Sequence, residues 1–195
     1  TLDYERVPAD FEPFYLGRDS REQVSYLDFD GGVPPRVQNS EYVTRDGYFD
    51  HLFSLLAPEL EHSLGICVVT RTNMMVRQTF KSTDEETVSV GRPSPTNTET
   101  ESFVSLMKRK RVCLLHFLGP LTGVLTLIPK NGAAVIEIAA RPQTMIIFLT
   151  EMFHYSFTCP GQTTTLQAWF LCRQGRYQLG DVGGNMEVLG TFTGA

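Results

Sequence analysis

The chain has 195 residues, of which 42% are hydrophobic and 20% charged, and its net charge is −5. This composition is typical of one folded domain and excludes a chain that is disordered throughout. The acidic balance argues against duplex nucleic acid as a partner, because neutralising phosphates requires a surplus of basic residues. No apolar run approaches the roughly 20 residues that a membrane-spanning helix requires, so we expect no membrane span.

The cysteines are spaced too widely to form a CxxC pair, so their pattern does not predict a zinc site. Most of them lie within apolar, strand-like runs, where a cysteine behaves as a small hydrophobic residue. We therefore expect a reduced, intracellular protein, although the pattern does not indicate which compartment holds it.

Residues 1–40 show no sustained hydrophobic period, but they carry many aromatic side chains and two pairs of chain breakers, Gly31-Gly32 and Pro34-Pro35. Aromatic residues at this density are unusual in a free linker. We therefore interpret residues 1–40 as an extended arm that packs on the body of the protein.

A helical period follows the arm, on one face formed by Tyr48, Leu52, Leu55 and Leu56. Pro58 ends this helix or starts another. Beyond it, Ile66–Arg71 and Met74–Phe80 are rich in β-branched and other apolar residues and predict a hairpin. The polar stretch Ser82–Thr100 predicts a surface loop, and Glu101–Lys108 predicts a short helix.

From Val112 onwards the chain consists of short apolar runs separated by turn residues. The runs are Val112–Leu118, Val124–Ile128, Ala134–Ile138, Met145–Leu149, Phe153–Phe157 and Thr164–Leu171. Together with the earlier hairpin they predict a mainly-β fold, a jelly roll or double-stranded β-helix with two or three N-terminal helices. We assign residues 41–172 to this body and the glycine-rich residues 173–195 to an exit segment or linker.

Several motifs follow one another in these strands: Val112–Leu118, Gly123 before Val124–Leu127, Arg141-Pro142-Gln143-Thr144, Met145–Phe148, His154 and Thr164–Phe170. In this order they resemble the double-stranded β-helix of iron- and 2-oxoglutarate-dependent dioxygenases, in particular the prolyl-hydroxylase-like branch. The resemblance implies a barrel fold and, in a complete member of the family, an oxygenase activity.

Iron in this family is held by two histidines and one carboxylate. The resemblance implies that His154 is the distal histidine and that Asp84 stands for the carboxylate, while Ser82 stands where the second histidine would be. Thr163–Thr165 stand where the family has the basic residue that binds the co-substrate. We therefore expect a degenerate site without a cofactor. The alternative is a hydroxylase that binds Fe(II) and 2-oxoglutarate at an atypical site of His154 and Asp84.

A second resemblance rests on Arg71-Thr72-Asn73-Met74, on Arg111–Pro120, and on Thr164-Leu166-Gln167 before Trp169-Phe170-Leu171. These strings look like the domain on the N-terminal side of the ketosynthase in dinoflagellate polyketide synthases. This resemblance implies a non-catalytic accessory domain of a larger biosynthetic protein, with any condensing activity in the neighbouring domain.

Such a domain is expected to contact neighbouring biosynthetic domains or an acidic carrier protein. The basic surface that we expect to make this contact is Lys108, Arg109, Lys110 and Arg111. A further alternative function is that of a small-molecule-binding β-barrel. Its candidate pocket is lined by Phe148, Phe153, His154 and Trp169.

Overall fold

The computed structural model describes residues 2–27, 40–88 and 93–173. Its helices and strands are α1 (Glu12–Tyr15), β1 (Glu22–Tyr26), α2 (Ser40–Leu64), β2 (Thr70–Arg71), β3 (Met75–Thr79), α3 (Thr83–Val88), α4 (Asn97–Arg109), β4 (Lys110–Gly119), β5 (Gly123–Pro129), β6 (Ile136–Ala140), β7 (Thr144–Leu149), β8 (Phe153–Thr158) and β9 (Thr164–Leu171). The large sheet has the strand order β1-β3-β9-β4-β7, with β2 also paired to β9, and the small sheet has the order β6-β5-β8. The strand pairs in these ranges are antiparallel.

The two sheets face each other across a shared apolar core. Leu115 and Trp169 enter this core from the large sheet, and Leu125 and Tyr155 enter it from the small sheet. No helix interrupts the described residues between β4 and β9. The predicted mainly-β jelly roll with helices ahead of its central strands is therefore confirmed.

Strand β9 shows how the alternation of side chains divides two cores. Leu166 and Phe170 lie on the face of the large sheet that packs against α2. Trp169 and Leu171 lie on the opposite face, in the core between the sheets. Neither face of β9 is exposed to water, which explains why apolar residues occupy both faces over Ala168–Leu171.

Helix α2 covers the outer face of the large sheet. Phe49 is 1% exposed, and the ring of Phe53 meets that of Phe170 edge-on at 5.0 Å. The helix continues through Pro58, because Leu56 and Leu60 on either side of it pack on the sheet and offset the lost backbone hydrogen bond. Among the described helices, none combines the length and apolar composition needed to cross a membrane.

The predicted hairpin differs from the observed pairing. Strands β2 and β3 do not pair with each other, because both pair with β9. Between them, the Thr72 N–H donates to the Trp169 carbonyl (2.9 Å), and the Trp169 N–H donates to the Thr72 hydroxyl (3.0 Å). These bonds let Ile66–Phe80 run alongside β9 as one interrupted strand instead of folding back on itself.

Much of the predicted surface loop between Ser82 and Thr100 is helical. Helix α4 begins earlier than expected, because the Thr96 hydroxyl accepts from the Glu99 N–H while the Glu99 carboxylate accepts from the Thr96 N–H. This reciprocal capping satisfies backbone groups at the helix start. Residues 89–92 lie outside the described part of the chain.

The N-terminal residues take part in both sheets. Strand β1 pairs with β3 in the large sheet, and Glu5 forms a bridge with Val24 on its outer side. Residues 17–20 lie along the outer edge of β8 in the small sheet, where the Arg18 N–H donates to the Tyr155 carbonyl at 2.7 Å. The predicted boundaries of the arm, the body and the exit segment stay predictions, because residues 28–39 and 174–195 lie outside the described ranges.

Candidate functional site

His154 lies on the outer face of the small sheet. Its neighbours in β8, Phe153 and Tyr155, pack against the core between the sheets, so the alternation of the strand turns the imidazole away from that core. Partial burial lowers the pKa of His154, and the positive charges of Arg18 and Lys130 lower it further.

Ser82 and Asp84, which stand at the positions of two iron ligands in the resemblance, lie at the start of α3. The Ser82 hydroxyl accepts from the Glu85 N–H at 3.2 Å, and the Ser82 carbonyl accepts from the Glu86 N–H at 3.2 Å. Asp84 is exposed in the first turn of this helix. Among the described residues, no group of three or more His, Cys, Asp or Glu side chains is placed to hold a metal ion.

The candidate pocket residues divide between the core that separates the two sheets and the outer face of the small sheet. Phe148 is buried and its ring lies 5.2 Å from that of Tyr155, and Phe153 packs against the same core. Trp169 is 2% exposed in that core as well. The structure therefore brings three of the four predicted residues to the interior and places His154 outside it.

A buried polar network that the sequence analysis missed crosses the interior. The Arg77 guanidinium donates to the Glu22 carboxylate, to the Gln167 side-chain oxygen (2.6 Å) and to the Leu16 carbonyl (2.8 Å). Burial lowers the pKa of Arg77, but the charge and hydrogen bond of Glu22, together with Tyr155 and Cys113, outweigh burial and raise it, so Arg77 remains a cation. The available signal was Arg77 itself, the one charged residue in β3.

This network continues toward the surface through side chains from both sheets. The Gln167 amide donates to the Tyr155 hydroxyl at 2.9 Å, and that hydroxyl donates to the Tyr15 carbonyl at 2.5 Å. Tyr15 in turn packs edge-on against Trp169, with ring centres 5.5 Å apart. The buried network therefore ends at the wall of a surface cleft.

This cleft, which we name the α4 cleft, runs along α4 as two neighbouring lobes of about 250 and about 490 Å³. Tyr15, Tyr26 and Ser102 line both lobes. Arg6 belongs to the smaller lobe and Trp169 to the larger one. Burial raises the pKa of Tyr15 to about 12, so its phenol remains protonated at neutral pH.

Two buried donors in the α4 cleft have no acceptor. Within the described residues, neither the Trp169 indole N–H nor the Arg6 Nε–H makes a hydrogen bond, and both atoms are buried. A buried donor without a partner costs about 1–3 kcal/mol, and an acceptor supplied by another molecule would remove that cost. The α4 cleft is therefore the candidate binding site.

The predicted basic surface is largely engaged within the chain. Arg109 donates to the Cys172 carbonyl (3.0 Å), Lys110 donates to the Phe14 carbonyl (3.2 Å), and Arg111 pairs with Glu151 (3.0 Å). Its role in contacting a carrier protein stays a prediction.

Lys110 should make the stability of the protein depend on pH. Burial lowers its pKa to about 8, below the value of about 10.4 for an unfolded lysine. Between these values the unfolded chain binds more protons, so the free energy of unfolding contributed by Lys110 rises with pH. Relative to Lys110→Met, we expect the wild type to gain about 1 kcal/mol from pH 8 to 9.5 in urea denaturation. Stability curves of the wild type and Lys110→Met that run parallel over this pH range would contradict the prediction.

No protein-family model and no curated protein matches this sequence. Solved structures match its fold. A Pseudomonas putida prolyl-4-hydroxylase superposes with a TM-score of 0.52 at 14% identity, over 86% of this chain and 77% of that one. A Trichoplax adhaerens prolyl hydroxylase, solved with a peptide fragment of the hypoxia inducible factor oxygen degradation domain, gives 0.53 at 15% identity, over 86% and 70%. The fold is that of the prolyl hydroxylases.

The prolyl-hydroxylase fold corrects one prediction. We expected no cofactor, but both of these similar proteins are prolyl hydroxylases, of the class that uses Fe(II) and 2-oxoglutarate. Those are therefore the cofactors that the fold implies. The described side chains do not fit an iron centre as they stand, because His154 faces outwards and Asp84 is exposed on α3. The resemblance to the polyketide synthase domain stays a prediction.

Proposed function

We propose that this chain is a polypeptide-recognition domain with the prolyl-hydroxylase fold, and that the α4 cleft binds an extended segment of its partner. The observation that carries this proposal is the unpaired indole N–H of Trp169, buried at the wall of the cleft. An extended polypeptide offers a carbonyl acceptor in every residue. It also fits a cleft with aromatic walls, since Tyr and Trp combine apolar area with a polar group.

The comparison with solved structures supports a polypeptide as the ligand. The Trichoplax hydroxylase, which shares this fold, was solved with a bound peptide fragment. In the finer form of the proposal, the domain belongs to a larger biosynthetic protein and recognises a segment of a neighbouring domain or carrier. The run from Lys108 to Arg111 then lies at the end of α4, next to the larger lobe that Arg109 lines.

Trp169 is the only tryptophan in the chain, so its fluorescence reports on the cleft. We expect the peptide fragment bound by the Trichoplax enzyme to change this fluorescence saturably, with a Kd below about 1 mM, which corresponds to roughly 4 kcal/mol. In Trp169→Phe, which keeps an aromatic ring but lacks the donor, calorimetry should show binding weakened about tenfold.

Exposed Tyr48→Ala on α2 is the matched control and should bind as the wild type does. Equal affinity of Trp169→Phe and the wild type would contradict the proposal, as would a fluorescence signal that does not saturate.

A second candidate function is an Fe(II)- and 2-oxoglutarate-dependent hydroxylase, favoured by the fold match over 86% of the chain. The test is conversion of 2-oxoglutarate to succinate in the presence of Fe(II), with and without the same peptide. Turnover that depends on the peptide and disappears in His154→Ala and Asp84→Ala would establish this function. Turnover that both variants retain would place the iron ligands elsewhere.

A further inference from the structure

The large sheet has an open edge at β7, on the side that faces away from β9. Strand β7 pairs with β4 along its whole length, and no described strand lies on its other side. Alternate residues of β7 therefore direct their backbone N–H and C=O groups towards a place where no strand accepts them. Arg141 lies in the turn before this strand and Glu151 in the turn after it. We name Thr144–Leu149, together with these two flanking residues, the β7 edge.

The strand of the β7 edge lacks the features that usually protect the edge of a sheet. Natural edge strands carry charged residues, prolines or bulges that prevent a further strand from pairing. The six residues of β7 include no charged residue and no proline. Of these six, only Phe148 is buried, and Ile147 is 41% exposed. An exposed apolar edge of this kind is a template for pairing with another strand.

The other sheet edges in the described part of the chain are better protected. Beside β1, the backbones of Glu5 and Val24 bond to each other in both directions, at 2.7 and 2.8 Å. Residues 17–20 lie along β8, and the edge strand β6 carries Glu137, whose charge opposes a further strand. Strand β7 is therefore the edge at which pairing with another chain meets the least opposition.

The two ends of the β7 edge carry opposite charges. Arg141 is exposed, and its guanidinium makes no hydrogen bond or ion pair with a described residue. The Glu151 side chain is 58% exposed, and its Oε1 pairs with Arg111 at 3.0 Å, which leaves the carboxylate able to accept from a second cation. Arg141 and Glu151 lie equally far from Ile146 along the chain. Two antiparallel copies would therefore bring opposite charges together at both ends, whereas two parallel copies would bring like charges together.

We infer that the β7 edge is the interface of a homodimer, in which two copies of this chain join their large sheets through antiparallel β7 strands. A twofold axis near Ile146 makes the strand its own partner, as a symmetric dimer requires. It also places Ile147 of one copy beside Met145 of the other, and such apolar cross-strand pairs stabilise a sheet. The homodimer is independent of the proposed recognition of polypeptides, because no residue of the β7 edge lines either lobe of the α4 cleft.

Sedimentation equilibrium of the chain over a wide range of concentration tests this interface. We expect a reversible dimer that Ile147→Lys weakens about tenfold or more, because the axis brings the two introduced ammonium groups close together. Leu55→Lys, at an exposed apolar position on α2, is the matched control and should dimerise as the wild type does. A wild type that stays monomeric at every concentration would overturn the inference, as would equal weakening by the two variants.

Reversing the flanking charges tests the antiparallel arrangement. Arg141→Glu and Glu151→Arg each create like charges at both ends of a dimer, so each should weaken association about three- to tenfold. An equimolar mixture of these two variants restores opposite charges at both ends and should associate about as strongly as the wild type. A mixture that associates no better than the separate variants, with melting temperatures that show both to be folded, would overturn the inference.

Hydrogen exchange distinguishes a second copy from another part of the same chain as the cover of the β7 edge. We expect the outward-directed amides of β7 to become more protected as the wild-type concentration rises, and to show no such change in Ile147→Lys. Protection that is equal at low and high concentration would mean that the chain covers its own edge, and it would overturn the inference.

Discussion

Replacing Arg77 by methionine is expected to lower the free energy of unfolding by about 3–5 kcal/mol, the largest effect that we predict for one side chain. Arg77 is fully buried and pairs with Glu22, which is 1% exposed. Without the guanidinium, the Glu22 carboxylate and the Gln167 side-chain oxygen lose their donor in a place that water does not reach. Urea denaturation of the two proteins at pH 7 measures the difference.

A double variant separates the loss of pairing from the loss of packing. Glu22→Leu combined with Arg77→Met removes both charges, so we expect it to recover most of the stability lost in the single variant. Arg45→Met, which breaks an exposed pair with Glu41 on α2, should cost less than about 0.5 kcal/mol. An Arg77→Met effect as small as that of Arg45→Met would refute the importance of the buried pair.

Gly17→Ala is expected to lower the free energy of unfolding by about 2–4 kcal/mol. Gly17 has a φ of +95°, where a side chain is strained, and an added Cβ would lie 2.7 Å from the Tyr155 carbonyl oxygen. The alanine would push residues 17–20 away from the edge of β8, so the Arg18 hydrogen bond should be lost. Denaturation measures the stability, and hydrogen exchange at the Arg18 amide measures the displacement.

The matched control is Gly47→Ala, in the middle of α2. An added Cβ there meets no atom within 4 Å, so the helix should gain about 0.5–1 kcal/mol from the better helix former. Two glycine-to-alanine changes in one protein are therefore expected to have opposite signs. A loss of stability in both, or in neither, would contradict this account of residues 17–20.

The central strands were predictable because their pattern is local. Turn residues separate the six apolar runs, and the alternation in β9 assigns Phe170 and Trp169 to opposite faces. The hairpin predicted for the early strands was wrong, because Thr72 bonds to β9 and β2 does not pair with β3. Strand β1 was missed because the pairing of Glu22 with Thr79 joins residues far apart in the chain.

The site was harder to predict than the fold, for a related reason. The alternation of β8 places His154 on the face opposite Phe153 and Tyr155. The strand alone does not show which of its two faces is turned to the core. The pair of Glu22 and Arg77 is separated by 55 positions, and no local pattern connects them. The α4 cleft forms only where helix and strands from distant segments meet, so neither of its unpaired donors could be recognised before folding.

The position of residues 17–20 has a consequence for the order in which the chain acquires its structure during synthesis. Their partners on β8 lie 137 positions later, as the bond between Ser20 and Phe157 shows. At ribosomal rates of about 5–20 residues per second, residues 17–20 wait on the order of ten seconds until β8 has been synthesised. Residues 17–20 are thus made early and fixed late, whereas β1 can pair with the early strand β3 well before β8 is made.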